Sequence, residues 1–225
     1  EQRMTLPGKY ELIEKIGSGG MGKTYKVKNT YLNREEVLKI PIEDNITDKQ
    51  LERFKREAQI LANLTNTNLP PIYELGEHNF YTDIKKFYFT MMFISGQSLR
   101  KAIDENKFTP DEKLSIIKQI IDVLAFIHQN QVIHRDIKPE NILIDNNKTY
   151  LIDFGLAKSQ DLVSMTEARS VLGTKEYMSP EQRCGKEASY ASDVYSFGAV
   201  LYEIITGQQA LKIIDNNYQR PTDDE

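Results

Sequence analysis

The chain has 225 residues, of which 29 are basic and 33 acidic, for a formal net charge of −4. The residues are 40% hydrophobic and 28% charged, a profile that fits one globular domain or two small lobes. The acidic balance argues against a general nucleic-acid binder. There is no run of about 18 apolar residues to span a membrane. The start, Glu1-Gln-Arg-Met-Thr5, lacks the apolar core of a signal peptide, although a tether beyond either end is compatible with the sequence. A single cysteine, Cys184, cannot form an internal disulfide and points to a reducing, cytoplasmic setting.

In chain order, residues 10–40 favour strands. Tyr10-Glu-Leu-Ile-Glu-Lys-Ile16 leads into a glycine cluster, Lys23-Thr-Tyr-Lys-Val27 alternates, and Glu36-Val-Leu-Lys-Ile40 returns after a turn around Asn29 to Arg34. A helix follows, with a Thr47/Gln50 capping box and Leu51, Phe54, Ala58 and Leu61 on one face. Two further strands are predicted around Ile72–Leu75 and Phe87–Phe93, joined by a polar loop from Thr82 to Lys86. After Gly96 the texture turns helical. Thr109-Pro-Asp-Glu112 is a helix start, and Ile116, Ile117, Ile120, Leu124 and Ile127 recur as its core face. Another helix is predicted over Ser192–Thr206, ending at Gly207. The shift of composition near residues 94–97 divides the chain into a mostly β lobe, 1–94, and a mostly α lobe, 95–225.

Two stretches carry the chemistry. The first is His134-Arg-Asp-Ile-Lys-Pro-Glu-Asn-Ile-Leu143, followed after a short hairpin by Ile152-Asp-Phe-Gly155. Asp136 can take a proton from an attacking hydroxyl, and Lys138 can neutralise a phosphoryl group in transfer. Asn141 and Asp153 offer the hard oxygens that Mg²⁺ prefers. The second is Gly17-Ser18-Gly19-Gly20-Met21-Gly22, flanked by strands. Glycines there let the backbone approach phosphate oxygens. A dinucleotide-binding turn would instead be followed by a helix, and the remaining alternative is a plain hairpin.

These motifs resemble the protein kinases, and the resemblance extends from about Tyr10 to about Ala210. It implies a two-lobed α+β fold with a small antiparallel β lobe and a mostly helical one. It also implies phosphoryl transfer from ATP, with Mg²⁺ (or Mn²⁺ in its place), to a protein substrate. Lys39 would hold the phosphates and be held by Glu57. Ile16, Thr24, Val37, Met91 and Leu143 would line the adenine pocket, with backbone groups of Met92 and Phe93 bonding the base. Valine at 37 and threonine at 24 replace the commoner alanine and valine.

Lys138 and Thr174 resemble the serine/threonine branch. Gly19-Gly20-Met21-Gly22 with Met178-Ser-Pro-Glu-Gln182 is similar to the bacterial Hanks-type kinases, with Ser179 in place of the commoner alanine. Asp193 matches the residue that anchors the catalytic loop. Arg135 would pair with a phosphorylated residue of the activation segment, where Ser159, Ser164, Thr166 and Ser170 are the candidates and Thr166 sits best by spacing. Autophosphorylation would bring two copies together as a homodimer. A nucleotide-binding pseudokinase or scaffold is the alternative; it would break Lys39, Asp136, Asn141 or Asp153, and all four are intact. The tail around Arg220 resembles the start of a later helix whose arginine pairs with the residue matching Glu181. A helical segment between about Leu211 and Arg220 is therefore expected to be missing, with simple truncation as the other reading.

Overall fold

Alternating apolar residues in the first 95 positions build five antiparallel strands: β1 (Tyr10–Gly19), β2 (Gly22–Asn29), β3 (Arg34–Ile40), β4 (Ile72–His78) and β5 (Lys86–Met92). They lie in the order β1-β2-β3-β5-β4. The computed structural model describes residues 5–19, 22–41, 48–80, 86–106, 108–154 and 175–209. Helix α1 (Asp48–Asn63) packs on the sheet and buries Phe54, Ala58 and Leu61, as the helical spacing predicts, while Leu51 is only half-buried. Its predicted cap, Thr47, lies outside the described residues.

The sheet is covered on both faces. Val37, Phe89 and Met91 join Phe54 and Ala58 of α1 in one cluster. Leu38 and Ile40 join Tyr10, Tyr25, Val27, Phe80 and Tyr88 in another. Adjacent residues of β3 thus enter different clusters, as a period of two requires. Each fully buried aromatic or branched side chain contributes about 1.5–3 kcal/mol through lost water contact.

One boundary differs from expectation. Lys86, assigned to a polar loop, instead opens β5, pairs in register with His78 and is buried. Position 86 is the strand's first residue, so its ladder partner decides its state over its own polarity. The rest of that loop, residues 82–85, lies outside the description.

The chain divides at Ser95 into units Glu1–Ser95 and Gly96–Glu225. In the second, β6 (Gln97–Ser98), β7 (Ile142–Asp145) and β8 (Lys148–Leu151) form a small antiparallel sheet. Gly96 lies so close to it that a Cβ would stand 1.9 Å from the Ile144 carbonyl oxygen. Only glycine fits there.

Among the described residues this unit also has the helices α2 (Leu99–Asp104), α3 (Pro110–Gln129), α4 (Pro180–Arg183) and α5 (Tyr190–Thr206). The predicted start of α3 is present as a full capping box between Thr109 and Glu112. Its core face is Ile116, Ile120, Val123, Leu124 and Ile127; Val123 joins the predicted set and Ile117 is half-buried. Helix α5 starts two residues before its predicted position and ends at Gly207, which adopts φ 72°.

Thr109→Ala removes the side-chain half of the capping box, leaving the backbone N–H to donate to Glu112, and should lower stability by about 1 kcal/mol. Urea unfolding checks this, with a lower midpoint at unchanged slope as the expected result; an unmoved midpoint would mean the box does not secure α3.

Candidate active site

The centre of the second unit is Asp193, in the first turn of α5. It is 1% exposed. One of its oxygens accepts the His134 N–H and the other accepts the Arg135 N–H, both at 2.8 Å. His128 of α3 adds a ring nitrogen at 2.8 Å. These bonds hold Arg135 in a left-handed conformation, φ 71°, which costs a non-glycine residue about 1–3 kcal/mol.

Asp136 follows directly. Its N–H donates to His134 Nδ1 at 3.3 Å. Its carboxylate Oδ2 accepts from Asn141 Nδ2 at 3.0 Å and lies 3.2 Å from Lys138 Nζ. Asn141 Nδ2 also donates to the Asp136 carbonyl at 2.8 Å. Asp136, Lys138 and Asn141 therefore form one cluster. Its backbone is a 3-10 turn, Pro139–Asn141, that runs straight into β7.

Asn141 and Asp153 stand at the open end of the β7–β8 hairpin. The Ile152 N–H donates to the Asn141 carbonyl at 2.9 Å, which brings the residue before Asp153 against Asn141. Asp153 is exposed and left-handed, with φ 56°. Because the Asn141 amide nitrogen is spent on Asp136, its side-chain oxygen is the atom left to face a hard cation. Leu143, half-buried on β7, pairs with Ser98 of β6 and Tyr150 of β8.

The other predicted residues belong to the first unit. Lys39 is 5% exposed on β3, between Thr24 and Phe89 in register, with its Nζ 5.7 Å from the Phe89 ring centre. Glu57 is on α1, but its side chain lies outside the described residues. Gly17 pairs with Thr24, Ser18 with Lys23 and Gly19 with Gly22, so the strand pair persists into the glycine cluster; Gly20 and Met21 lie outside the description. A Cβ on Gly22 would meet the Ile40 carbonyl oxygen at 2.4 Å. Ile16 is exposed, Thr24 half-buried, and Val37 and Met91 are buried as register partners. The Met92 N–H donates to the Pro71 carbonyl at 3.1 Å, which takes that donor away from an adenine edge. Phe93 is half-buried under Lys26, whose Nζ sits 4.2 Å from its ring centre.

The activation-segment residues Ser159, Ser164, Thr166, Ser170 and Thr174 lie outside the described residues, as does Arg220. Glu181, the partner expected for Arg220, accepts the Ser192 hydroxyl at 2.5 Å. Ser179 is the N-cap of α4, in a capping box with Gln182, so the departure from alanine supplies a cap. Gln182 also donates to the Arg135 carbonyl at 3.0 Å. Sequence reasoning did not single out His128, His134 or Gln182. Their roles are set by contacts with residues 18 to 65 positions away, which no local pattern marks.

A sequence model of the protein kinase domain matches residues 10–224. Serine/threonine-protein kinase PrkC of Bacillus subtilis is 40% identical over 206 residues, which cover 90% of this chain and 31% of the relative. Serine/threonine-protein kinase PknD of Mycobacterium tuberculosis is 36% identical over 204 residues, covering 89% and 30%. Probable serine/threonine-protein kinase PknB of Lactococcus lactis is 34% identical over 206 residues, covering 89% and 32%. The chain thus spans about a third of the length of the curated relatives it matches.

Burial pushes the pKa of His134 down, against the pull of Asp193 and Asp136. Its Nε2 faces the Ile152 carbonyl at 3.0 Å, so the neutral ring donates there and accepts from Asp136 N–H on the other side. The unfolded chain takes up the proton near pH 6.5 while the folded chain does not. Stability should therefore fall as pH drops below about 6.5, by up to ~1.4 kcal/mol per pH unit. Unfolding free energies between pH 7.5 and 5 would test this, since His134→Gln should remove that share of the slope. An identical slope in the variant would refute the assignment.

Proposed function

The chain belongs to the protein kinase family, and we propose that it transfers the γ-phosphoryl group of ATP to serine or threonine hydroxyls of proteins. The observation that carries this reading is the Asp136 carboxylate, fixed at 3.0 Å from Asn141 and 3.2 Å from Lys138 on a loop anchored by Asp193. In this reading Asp136 orients the substrate hydroxyl and accepts its proton as oxygen bonds to the γ-phosphorus. The bond to the β–γ bridging oxygen breaks, and ADP leaves with that electron pair. Lys138 faces the phosphoryl group in transfer, and Lys39, held by Glu57, takes the α- and β-phosphates. Such a transfer needs little covalent work from the protein, so positioning and charge supply the acceleration.

The family uses ATP with Mg²⁺, and the oxygens of Asn141 and Asp153 fit that ion. Asn141 and Asp153 would hold it, and its charge would offset that of the phosphates. Backbone groups of residues 17–22 would cover the phosphates. Ile16, Thr24, Val37, Met91 and Leu143 would pack on the adenine, with the Met92 carbonyl and Phe93 left to bond its edge. Among the described residues no helix is long and apolar enough to cross a membrane. ATP chemistry and a lone, exposed Cys184 suit the cytoplasm.

Regulation in this reading runs through Arg135. Its Nε is buried without a hydrogen-bond partner among the described residues, and a buried donor of a charged group favours an anion beside it. A phosphate on the activation segment would supply it, added by a second copy of the chain.

Asp136→Asn should cut phosphotransfer to a generic protein substrate by at least about a hundredfold while nucleotide still binds. Lys39→Ala should lower transfer comparably. Wild-type-like turnover by Asp136→Asn would place the site elsewhere, and a wild-type protein that binds nucleotide without transferring phosphate would make this a pseudokinase.

After incubation with Mg-ATP, phosphopeptide mapping should find Thr166 modified first, then Ser170 or Ser164. A fully active enzyme with residues 159–174 unmodified would rule out this regulation.

A further inference from the structure

One guanidinium group gathers four elements of the second unit that are far apart in sequence. Arg100, on α2, grips the Glu203 carboxylate of α5 with both terminal nitrogens, Nη1 to Oε1 at 2.5 Å and Nη2 to Oε2 at 3.1 Å. Its Nε donates to Glu140 Oε1 at 3.1 Å. Its Nη2 also donates to the Tyr177 hydroxyl, which in turn donates to Glu203 Oε2 at 2.5 Å. Glu203 and Tyr177 are 2% and 4% exposed. Burial, then Glu203, pushes the Tyr177 pKa up, so the hydroxyl keeps the proton it donates.

The two ends of this cluster matter more than its middle. Glu140 belongs to the 3-10 turn Pro139–Asn141, whose Asn141 holds the base Asp136. Tyr177 closes the 3-10 turn Lys175–Tyr177, which leads into α4. That stretch also touches the catalytic loop through Gln182 and the Arg135 carbonyl. Ser196 of α5 fixes the Tyr177 carbonyl at 2.6 Å, so the backbone has its own anchor and Arg100 fixes the ring. The hydrogen bonds of Arg100 go to Glu140, Tyr177 and Glu203, which places its action on the framework around the loop.

We propose that Arg100 is a positioning residue for the protein substrate, holding the 175–183 segment in register with the catalytic loop through Tyr177 and Glu140. This rests on the kinase reading above. The task needs an arginine, because three acceptors lie around one planar fork of donors and a lysine ammonium cannot span them. Without the fork, the segment keeps its attachments at Gln182 and Ser196 but is free to swing about them. The acceptor hydroxyl is then presented less often to Asp136, while the nucleotide residues of the first unit are untouched. The loss falls on binding of protein substrate.

Steady-state kinetics with ATP and a generic protein substrate test this on the whole chain. Arg100→Gln should raise KM for the protein substrate about tenfold, the size of one hydrogen bond to a charged group, with KM for ATP within about twofold of wild type. Arg100→Lys should behave nearly as badly, since it keeps the charge and loses the fork. Tyr177→Phe removes one oxygen and keeps the packing, so it should fold even if Arg100→Gln does not, and should raise the same KM about threefold. Unchanged protein KM in folded Arg100→Gln or in Tyr177→Phe would overturn the proposal. So would a wild-type Arg100→Lys, or a parallel rise in KM for ATP. Absence of any phosphotransfer by the wild-type chain would instead fell the kinase reading itself.

Discussion

Asp193 accepts three hydrogen bonds at 2.8 Å, from the His134 and Arg135 amides and from the His128 ring. Taking a carboxylate out of water costs several kcal/mol unless its lone pairs are filled. Here they are filled by the groups that shape the catalytic loop. Each hydrogen bond to a charged group contributes about 1.5–3 kcal/mol, while the left-handed Arg135 costs about 1–3 kcal/mol. Three bonds against one strained residue leave the loop fixed. Every later contact inherits that geometry: Asp136 on His134, Asn141 on Asp136, and Ile152 on Asn141.

Charge near the base is arranged so that each group faces a different neighbour. Lys138 and Asn141 address the Asp136 carboxylate. Arg135, next in sequence, turns its carbonyl to Gln182, and its buried Nε has no hydrogen-bond partner among the described residues. A second arginine, Arg100, is fully engaged by Glu203, Glu140 and Tyr177. The two guanidinium groups therefore differ in kind. One is a finished structural joint, and the other has a buried Nε with no hydrogen-bond partner among the described residues, next to Asp136.

Much of the fold was legible because it is locally written. Strand alternation around the glycine cluster, the Thr109 capping box and the Gly207 stop each depend on residues within one or two turns. The kinase motifs were legible for the same reason: Asp136, Lys138 and Asn141 fall within six residues, and the hairpin that brings Asp153 to them is short. What escaped is non-local. Arg100 and Glu203 are 103 residues apart, and nothing near either announces the other. Lys86 looked like loop because polarity outweighed a ladder partner that only the sheet supplies. Ser179 read as a departure from the family until the start of α4 gave its hydroxyl a helix to cap.

The anchor also has a consequence in time. Asp193 lies 59 residues beyond His134, so the loop leaves the ribosome well before the carboxylate that shapes it. Synthesis proceeds at about 5–20 residues per second, and for those seconds Arg135 has no compensation for its left-handed backbone. Until α5 emerges, a nascent chain carries residues 134–141 without the carboxylate that fixes their backbone. The geometry around Asp136 is therefore withheld until the helix is made, and a chain released before it is complete would lack that anchor.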